Sequence, residues 1–282
     1  MATSEVPIEP LTAADLPDAE VLVAEAGWNQ VAADWRMFLD FGTAYAVRDT
    51  RVIATAAWIP YGACAWISMV LVAGTHRRRG LATRLLHRCI VDVTAAGLVP
   101  VLDATPAGRT VYVPLGFRET WGFTRLMSER RTIVPPTASV AVEPITDSVW
   151  AAVCAYDTAV FGNDRARVLA RLRGRLPPAE LVARRDGRIV GTLLGRNGRT
   201  ASHLGPLIAE DDEAAQALLG RTLSQIDGTI YIDVVDARGS TRSYLESAGF
   251  TAQRPFTRML LGRDASFDDV TRTYAVTGPE FG

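Results

Sequence analysis

The chain has 282 residues, long enough for two hydrophobic cores, with 48% hydrophobic residues, 22% charged residues and a formal net charge of −1. That balance argues against a dedicated nucleic-acid binder, which needs a strongly basic face. Cys64, Cys89 and Cys154, like His76, His87 and His203, are too scattered for a redox or metal motif, so no metal is expected and the thiols read as small reduced core residues.

In chain order, Met1-Ala-Thr-Ser-Glu-Val-Pro lacks the basic start and apolar core of a secretory leader, and no apolar run reaches membrane-spanning length. A cytoplasmic protein with no membrane partner is expected. Val6 to Leu11 predicts a short strand, and Thr12-Ala-Ala-Asp15 the cap of a helix running to about Ala26. A turn at Glu25-Ala-Gly-Trp28-Asn29-Gln30 leads to a second helix carrying Asp34, Trp35, Phe38 and Leu39. Trp35 reads as a core anchor; Trp28 either closes a helix end or, with Glu25, faces a cationic amine.

Ala44 to Arg48, Arg51 to Ile59 and Ala63 to Ala73 predict three strands of an antiparallel meander. After Gly80 the apolar positions Leu81, Leu85, Leu86, Cys89, Ile90 and Val93 recur at helical spacing. Between strand and helix stand Arg77, Arg78 and Arg79, just ahead of backbone N–H groups that lack intrahelical partners and where the macrodipole is positive. Cations there are unfavourable unless an anion joins them. Gly80 lets a ligand approach the backbone and Ala82 keeps the next turn small, so the stretch is expected to grip phosphate. His76 in the same turn either touches that phosphate or faces solvent. Val99 to Asp103 predicts a further strand, parallel to its predecessor across the helical crossover.

Arg77-x-x-Gly80-x-Ala82 after a strand resembles the acyl-CoA pyrophosphate loop of the GNAT superfamily of N-acetyltransferases, Gln/Arg-x-x-Gly-x-Gly/Ala. Downstream, Asp103-Ala-Thr-Pro-Ala-Gly-Arg-Thr-Val-Tyr112-Val-Pro-Leu-Gly116-Phe117 resembles that family's Asn-x-x-Ala-x-x-Leu-Tyr-x-x-x-Gly-Phe, in the family's order and spacing. Two departures matter: Thr105 stands where Asn usually contacts the pantetheine arm, and Pro114 should shorten or kink the helix bearing Tyr112. The resemblance covers Pro7 to about Met127.

It implies an acetyl-CoA cosubstrate and acetyl transfer to a primary amine of a small molecule, a polyamine or amino acid, by direct attack in a ternary complex. It places the backbone of Val70, Leu71 and Val72 along the pantetheine and Arg77, Arg78, Arg79, Gly80, Leu81, Ala82 and Thr83 around the diphosphate. Thr105 falls beside the thioester arm, Tyr112 near the departing thiolate, and Glu25, Trp28 and Asp103 near the acceptor. The general base stays open among Asp103, Glu25, Asp40 and a water chain. Two other readings remain: a non-catalytic acyl-CoA sensor, and a phosphate or nucleic-acid binder, which three clustered arginines on a neutral chain disfavour.

A shift of 133 positions carries Gly116-Phe117 onto Gly249-Phe250, Asp103-Ala104 onto Asp236-Ala237, Arg109 onto Arg242 and Phe123-Thr-Arg125 onto Phe256-Thr-Arg258, so the second half is a copy of the first. The same shift sets Glu210-Asp-Asp-Glu213 opposite Arg77-Arg-Arg-Gly80, and Leu245 opposite Tyr112. Acids in a first helical turn satisfy the dipole from within the chain and repel a diphosphate. The expected fold is therefore α/β (α+β), two tandem GNAT-like modules, each a mixed, mostly antiparallel twisted sheet flanked by helices. Residues 1–130 form the acetyl-CoA domain, 131–138 a Pro-bearing linker, 139–262 a degenerate copy and 263–282 a loosely docked tail or lid. Such a tandem could be a monomer or a homodimer.

Overall fold

The short opening strand is β1 (Ile8–Pro10), and the capped helix is α1 (Leu16–Glu25), entered through a 3-10 turn at Ala13–Asp15, in a computed structural model describing residues 6–132 and 140–282. Asp15 closes the cap by accepting from the Thr12 amide at 2.7 Å. The second helix, α2 (Ala32–Phe41), buries Trp35, Met37 and Phe38 completely. The meander follows as β2 (Thr43–Arg48), β3 (Val52–Tyr61) and β4 (Cys64–Val72), giving the antiparallel order β1-β2-β3-β4. Helix α3 (Leu81–Ala95) turns Leu81, Leu85, Leu86, Cys89 and Val93 inward, and returns the chain to β5 (Val99–Ala104), parallel to β4.

Packing divides the chain into one unit ending at Leu102 and another beginning at Asp103. The division falls ahead of the sequence repeat's own boundary. In the second unit, α4 (Pro106–Tyr112) stops where Pro114 sets a 3-10 turn, and Gly116 leaves it at φ 91°. Then come β6 (Phe117–Ser128), β7 (Ala141–Pro144), α5 (Asp147–Phe161), α6 (Ala166–Leu172), β8 (Leu181–Arg185), β9 (Arg188–Arg196) and β10 (Ser202–Ala209). The chain continues through α7 (Asp212–Leu223), β11 (Ile230–Val235), α8 (Gly239–Ser247), β12 (Thr251–Leu261) and β13 (Thr273–Ala275). The expected linker lies, from residue 133 to 138, outside the described residues.

The sheet of this unit runs β7-β8-β9-β10-β13-β11-β6-β12, so the last strand of the first copy sits between two strands of the second. Phe123 faces its repeat-mate Phe256 across the antiparallel β6–β12 pair, the rings stacked with centroids 5.1 Å apart and 14° between planes. Equivalent residues directly opposed mark a local two-fold between these strands. The shared Arg of the Phe-Thr-Arg motif takes a buried carboxylate each time, Arg125 on Asp233 at 2.8 and 2.7 Å and Arg258 on Asp103 at 3.0 Å twice.

Of the expected tail, residues 263–265 are exposed, and from Thr273 on it is no loose end. Tyr274, Val276 and Phe281 are at most 2% exposed, and each such buried side chain contributes about 1.5–3 kcal/mol.

His203 is buried in the same core, its Nε2 3.0 Å from Asp233 and its Nδ1 3.2 Å from Arg196 Nη2. A carboxylate on one side and a guanidinium on the other require the neutral ring with its proton on Nε2. Burial, with Arg196 alongside, holds its pKa below the ordinary 6.5, and Asp233 only partly offsets them. The unfolded chain therefore takes up this proton first, and stability falls as pH drops through 6.5 towards the folded value. Buried Asp103, its pKa raised to about 6, works in the opposite sense below that pH, so the His203 contribution is read as a difference: His203→Gln, whose amide can keep both contacts, is expected to gain thermal midpoint relative to the unsubstituted protein between pH 7 and 5. An unchanged difference between the two proteins would assign the pH dependence to other groups.

Candidate active site

The geometry of the first unit's site begins with a strand pair that stops early. β4 and β5 are in register only for Cys64 with Val99, Ala65 with Pro100 and Trp66 with Val101. Past Trp66 the two diverge. On its other side β4 bulges: Met69, at φ 54°, and Val70 together oppose Ala56, and the Met69 carbonyl accepts from the buried Thr55 hydroxyl at 2.9 Å. The bulge and the divergence leave Val70, Leu71 and Val72 along one wall of a cavity of about 470 Å³.

The loop after β4 forms the opposite wall. It makes a 3-10 turn at Gly74–His76, extends at Arg77, passes through left-handed geometry at Arg78 (φ 61°) and Gly80 (φ 77°), and enters α3 at Leu81. Arg78 is the costlier of the two, because a side chain disfavours that region by about 1–2 kcal/mol. Gly80 has open space around it, so its role is the backbone conformation and not a close packing contact. The first intrahelical bond is Arg84 N–H to the Gly80 carbonyl, at 3.0 Å. Leu81, Ala82 and Thr83 thus present their amides at a helix mouth without a side-chain cap or an acid in its first turn.

Trp28, Arg77, Arg78, Gly80, Leu81, Ala82 and Thr83 line the cavity with Val70–Val72, as does His76, whose Nδ1 lies 2.8 Å from the Thr75 hydroxyl. Arg77 Nε donates to the Val72 carbonyl at 3.2 Å, which ties the arginine to the end of the diverging strand. Arg79 is outside the lining and donates to the Thr75 carbonyl at 3.1 Å. Glu25 lies at the end of α1 and accepts from the Gly74 amide at 3.0 Å, so one oxygen braces the loop.

The equivalent helix of the second copy is closed. Asp211 caps α7, accepting from the Ala214 amide at 2.9 Å, with Asp212 and Glu213 in the first turn. Arg185 pairs with Asp211 and Glu213 at 2.7 and 2.9 Å. Asp211, and not Glu213 as the ungapped shift has it, occupies the N-cap place that Gly80 holds in the first copy.

Thr105, Tyr112 and Asp103 belong to the second unit. Thr105 is the N-cap of α4, its oxygen accepting from the Gly108 amide at 3.1 Å. Tyr112 ends that helix half-buried, its ring 6.0 Å from Phe117 and tilted by 53°, and burial raises its pKa. Asp103 has no exposed side-chain surface and spends both oxygens on Arg258. Burial pushes its pKa up to about 6, against the pull of that guanidinium. Arg258 also holds Asp268 and lies over the Trp121 ring at 4.2 Å, so Asp103 is part of a buried latch that sequence spacing did not reveal. Among the described residues no cluster of three or more His, Cys, Asp or Glu could hold a metal ion, and no helix is long and apolar enough to cross a membrane.

Two family models match the chain: an acetyltransferase (GNAT) family over residues 13–117 and an acetyltransferase (GNAT) domain over residues 153–275. The uncharacterized N-acetyltransferase YitH of Bacillus subtilis is 25% identical over 236 residues, spanning 81% of this chain and 82% of that protein. An uncharacterized N-acetyltransferase of Streptomyces avermitilis is 30% identical over 218 residues, 68% of this chain and 52% of that protein. Among solved structures, a Pyrococcus horikoshii protein provisionally described as an acetyltransferase superposes with a TM-score of 0.79 at 19% identity, covering 100% of this chain and 98% of that one. A tandem GNAT protein from the clavulanic acid biosynthesis pathway reaches 0.64 at 13% identity, covering 93% and 100%. At those identities the two structures speak to the fold alone.

Proposed function

The chain belongs to the GNAT acetyltransferase family, with a family domain in each half, and from that premise we propose that it moves acetyl from acetyl-CoA, bound by the first domain, to the primary amine of a small molecule such as a polyamine or amino acid. The observation that carries this reading is the contrast between two helix mouths: Leu81–Thr83 have open amides beside arginines, and α7 is filled by its own Asp211.

Bound acetyl-CoA supplies the activated acyl group. Arg77 and Arg78 with the amides of Leu81, Ala82 and Thr83 hold its diphosphate, Arg79 bracing the loop through the Thr75 carbonyl, and Gly80 supplies the left-handed turn that brings those amides forward. The edge of β4 from Val70 to Val72 takes the pantetheine as an added strand and polarises the thioester carbonyl. Thr105, its oxygen engaged by Gly108, keeps a hydroxyl proton to donate to that arm. Trp28 walls the acceptor side, where the family resemblance sets Glu25 beside the ammonium group as well as bracing the loop. With its ammonium proton passed to water, the neutral amine attacks the thioester carbon; the C–S bond breaks, the thiolate takes the Tyr112 proton, and the proton shed by the newly acylated nitrogen returns to Tyr112 through water.

Offering an amine library with acetyl-CoA and following thiol release tests the proposal. Amine-dependent release with an N-acetylated product supports it; tight acetyl-CoA binding with no release for any amine would make the protein a sensor. Arg77→Ala is expected to raise KM for acetyl-CoA about tenfold with little change in kcat, the loss of one charge-assisted hydrogen bond of about 1.5 kcal/mol.

A further inference from the structure

The second copy opens its sheet as the first does and then fills the opening. β10 and β11 pair in parallel for Ser202–Leu204 with Ile230–Ile232 and part beyond them. Into the gap comes β13, antiparallel to both, with Ala275 opposite Leu207 and Val234 and Thr273 opposite Ile208. An extended strand laid against the inner edges of a splayed parallel pair is the position that Val70–Val72 offer to a pantetheine arm in the first copy.

The inserted segment is gripped along its length. Arg238 Nε donates to the Thr273 carbonyl at 3.2 Å, and the Val276 amide donates to the Asp233 carbonyl at 3.1 Å. Buried Arg196 donates to the Thr277 carbonyl and pairs with the Glu280 carboxylate. Buried Arg165, held by both Asp157 oxygens at 2.9 Å, donates to the Thr277 hydroxyl at 2.8 Å. Gly205 makes room at φ 145°, where any Cβ would run into the Val276 carbonyl. Charge completes the closure, because the diphosphate end of this groove is the Asp211-capped mouth of α7.

We propose that residues 273–282 are an intramolecular ligand of the second domain's groove, standing where an acyl-CoA arm would lie, so that the chain carries one acyl-CoA site. This inference rests on the first domain's being an acyl-CoA site, and its test separates the two. Calorimetry of the full chain with acetyl-CoA is expected to give one equivalent, and Gly80→Glu none. Arg77→Glu, which leaves the left-handed turn untouched, is expected to lower affinity by at least tenfold and serves if Gly80→Glu folds poorly. Hydrogen exchange at Val276 and Thr277 is expected to be as slow as in the central strands, with or without acetyl-CoA.

Two equivalents in the wild type, a full equivalent kept by both variants, or fast exchange at Val276 would overturn the proposal. No binding by the wild type, with slow exchange at those amides, would refute the first-domain site while supporting the tail as the groove's occupant.

Discussion

Tyr112→Phe is expected to lower kcat for acetyl transfer about 100-fold, at the low end of what a positioned general acid contributes, and to leave acetyl-CoA affinity within about twofold. The leaving thiolate has a conjugate acid near 8.5, by analogy with cysteine, and an unperturbed phenol one of about 10, so a tyrosine hydroxyl can donate to it in the transition state, less readily the further burial raises it. Burial raises the Tyr112 pKa, which keeps the hydroxyl protonated across neutral pH and makes it a donor there. Phenylalanine preserves the ring and its contact with Phe117, so the variant separates chemistry from packing. Gly108→Ala tests the same group from outside, since its Cβ would stand 2.9 Å from the Tyr112 ring and displace it without removing the hydroxyl. Steady-state kinetics on both variants decide the matter: full turnover in Tyr112→Phe would leave the tyrosine a packing residue.

Asp233→Ala is expected to destabilise the protein by about 3–5 kcal/mol, because it strands a buried cation. Arg125 is 4% exposed and gives Asp233 two hydrogen bonds, and His203 gives it a third. Burial alone would raise the Asp233 pKa, but Arg125 and His203 outweigh it and hold the carboxyl well below the usual carboxylate range. The group therefore contributes stability above the unfolded value of 3.8, and that contribution is lost as pH falls further. Asp264→Ala is the matched control, since its pair with Arg118 is 74% and 66% exposed and salt-screened, and its midpoint should barely move. Urea denaturation at pH 7 compares the two, and equal midpoints would mean that the core relaxes around Arg125.

The two domains of the family are each legible in sequence, yet their strands are not sorted by sequence order. β6 has the composition of a strand wherever it pairs, and its placement between β11 and β12 depends on partners more than a hundred residues away. Asp103 illustrates the same limit: the family resemblance sets it near the acceptor, and Arg258, far along the chain, claims both its oxygens. Glu25 was read beside the acceptor, and its bond to the Gly74 amide makes it a brace for the anion loop as well. The tail offered a faint signal in Thr273-Tyr-Ala-Val276, a short strand-like run, but nothing in it names the gap between β10 and β11.

What the sequence determined by itself is what a window of a few residues can encode: helical and strand periodicity, the cap at Thr12, a glycine at position 80 and the arginines ahead of α3, the acids at α7 and the repeat. Tertiary structure decided which strands became neighbours, which buried carboxylate each arginine took, and that β13 lies between β10 and β11. The physical reason is that backbone and cap preferences are local energies. Strand partners and buried ion pairs are chosen by burial and hydrogen-bond satisfaction over the whole chain, where many pairings are chemically alike until the core closes.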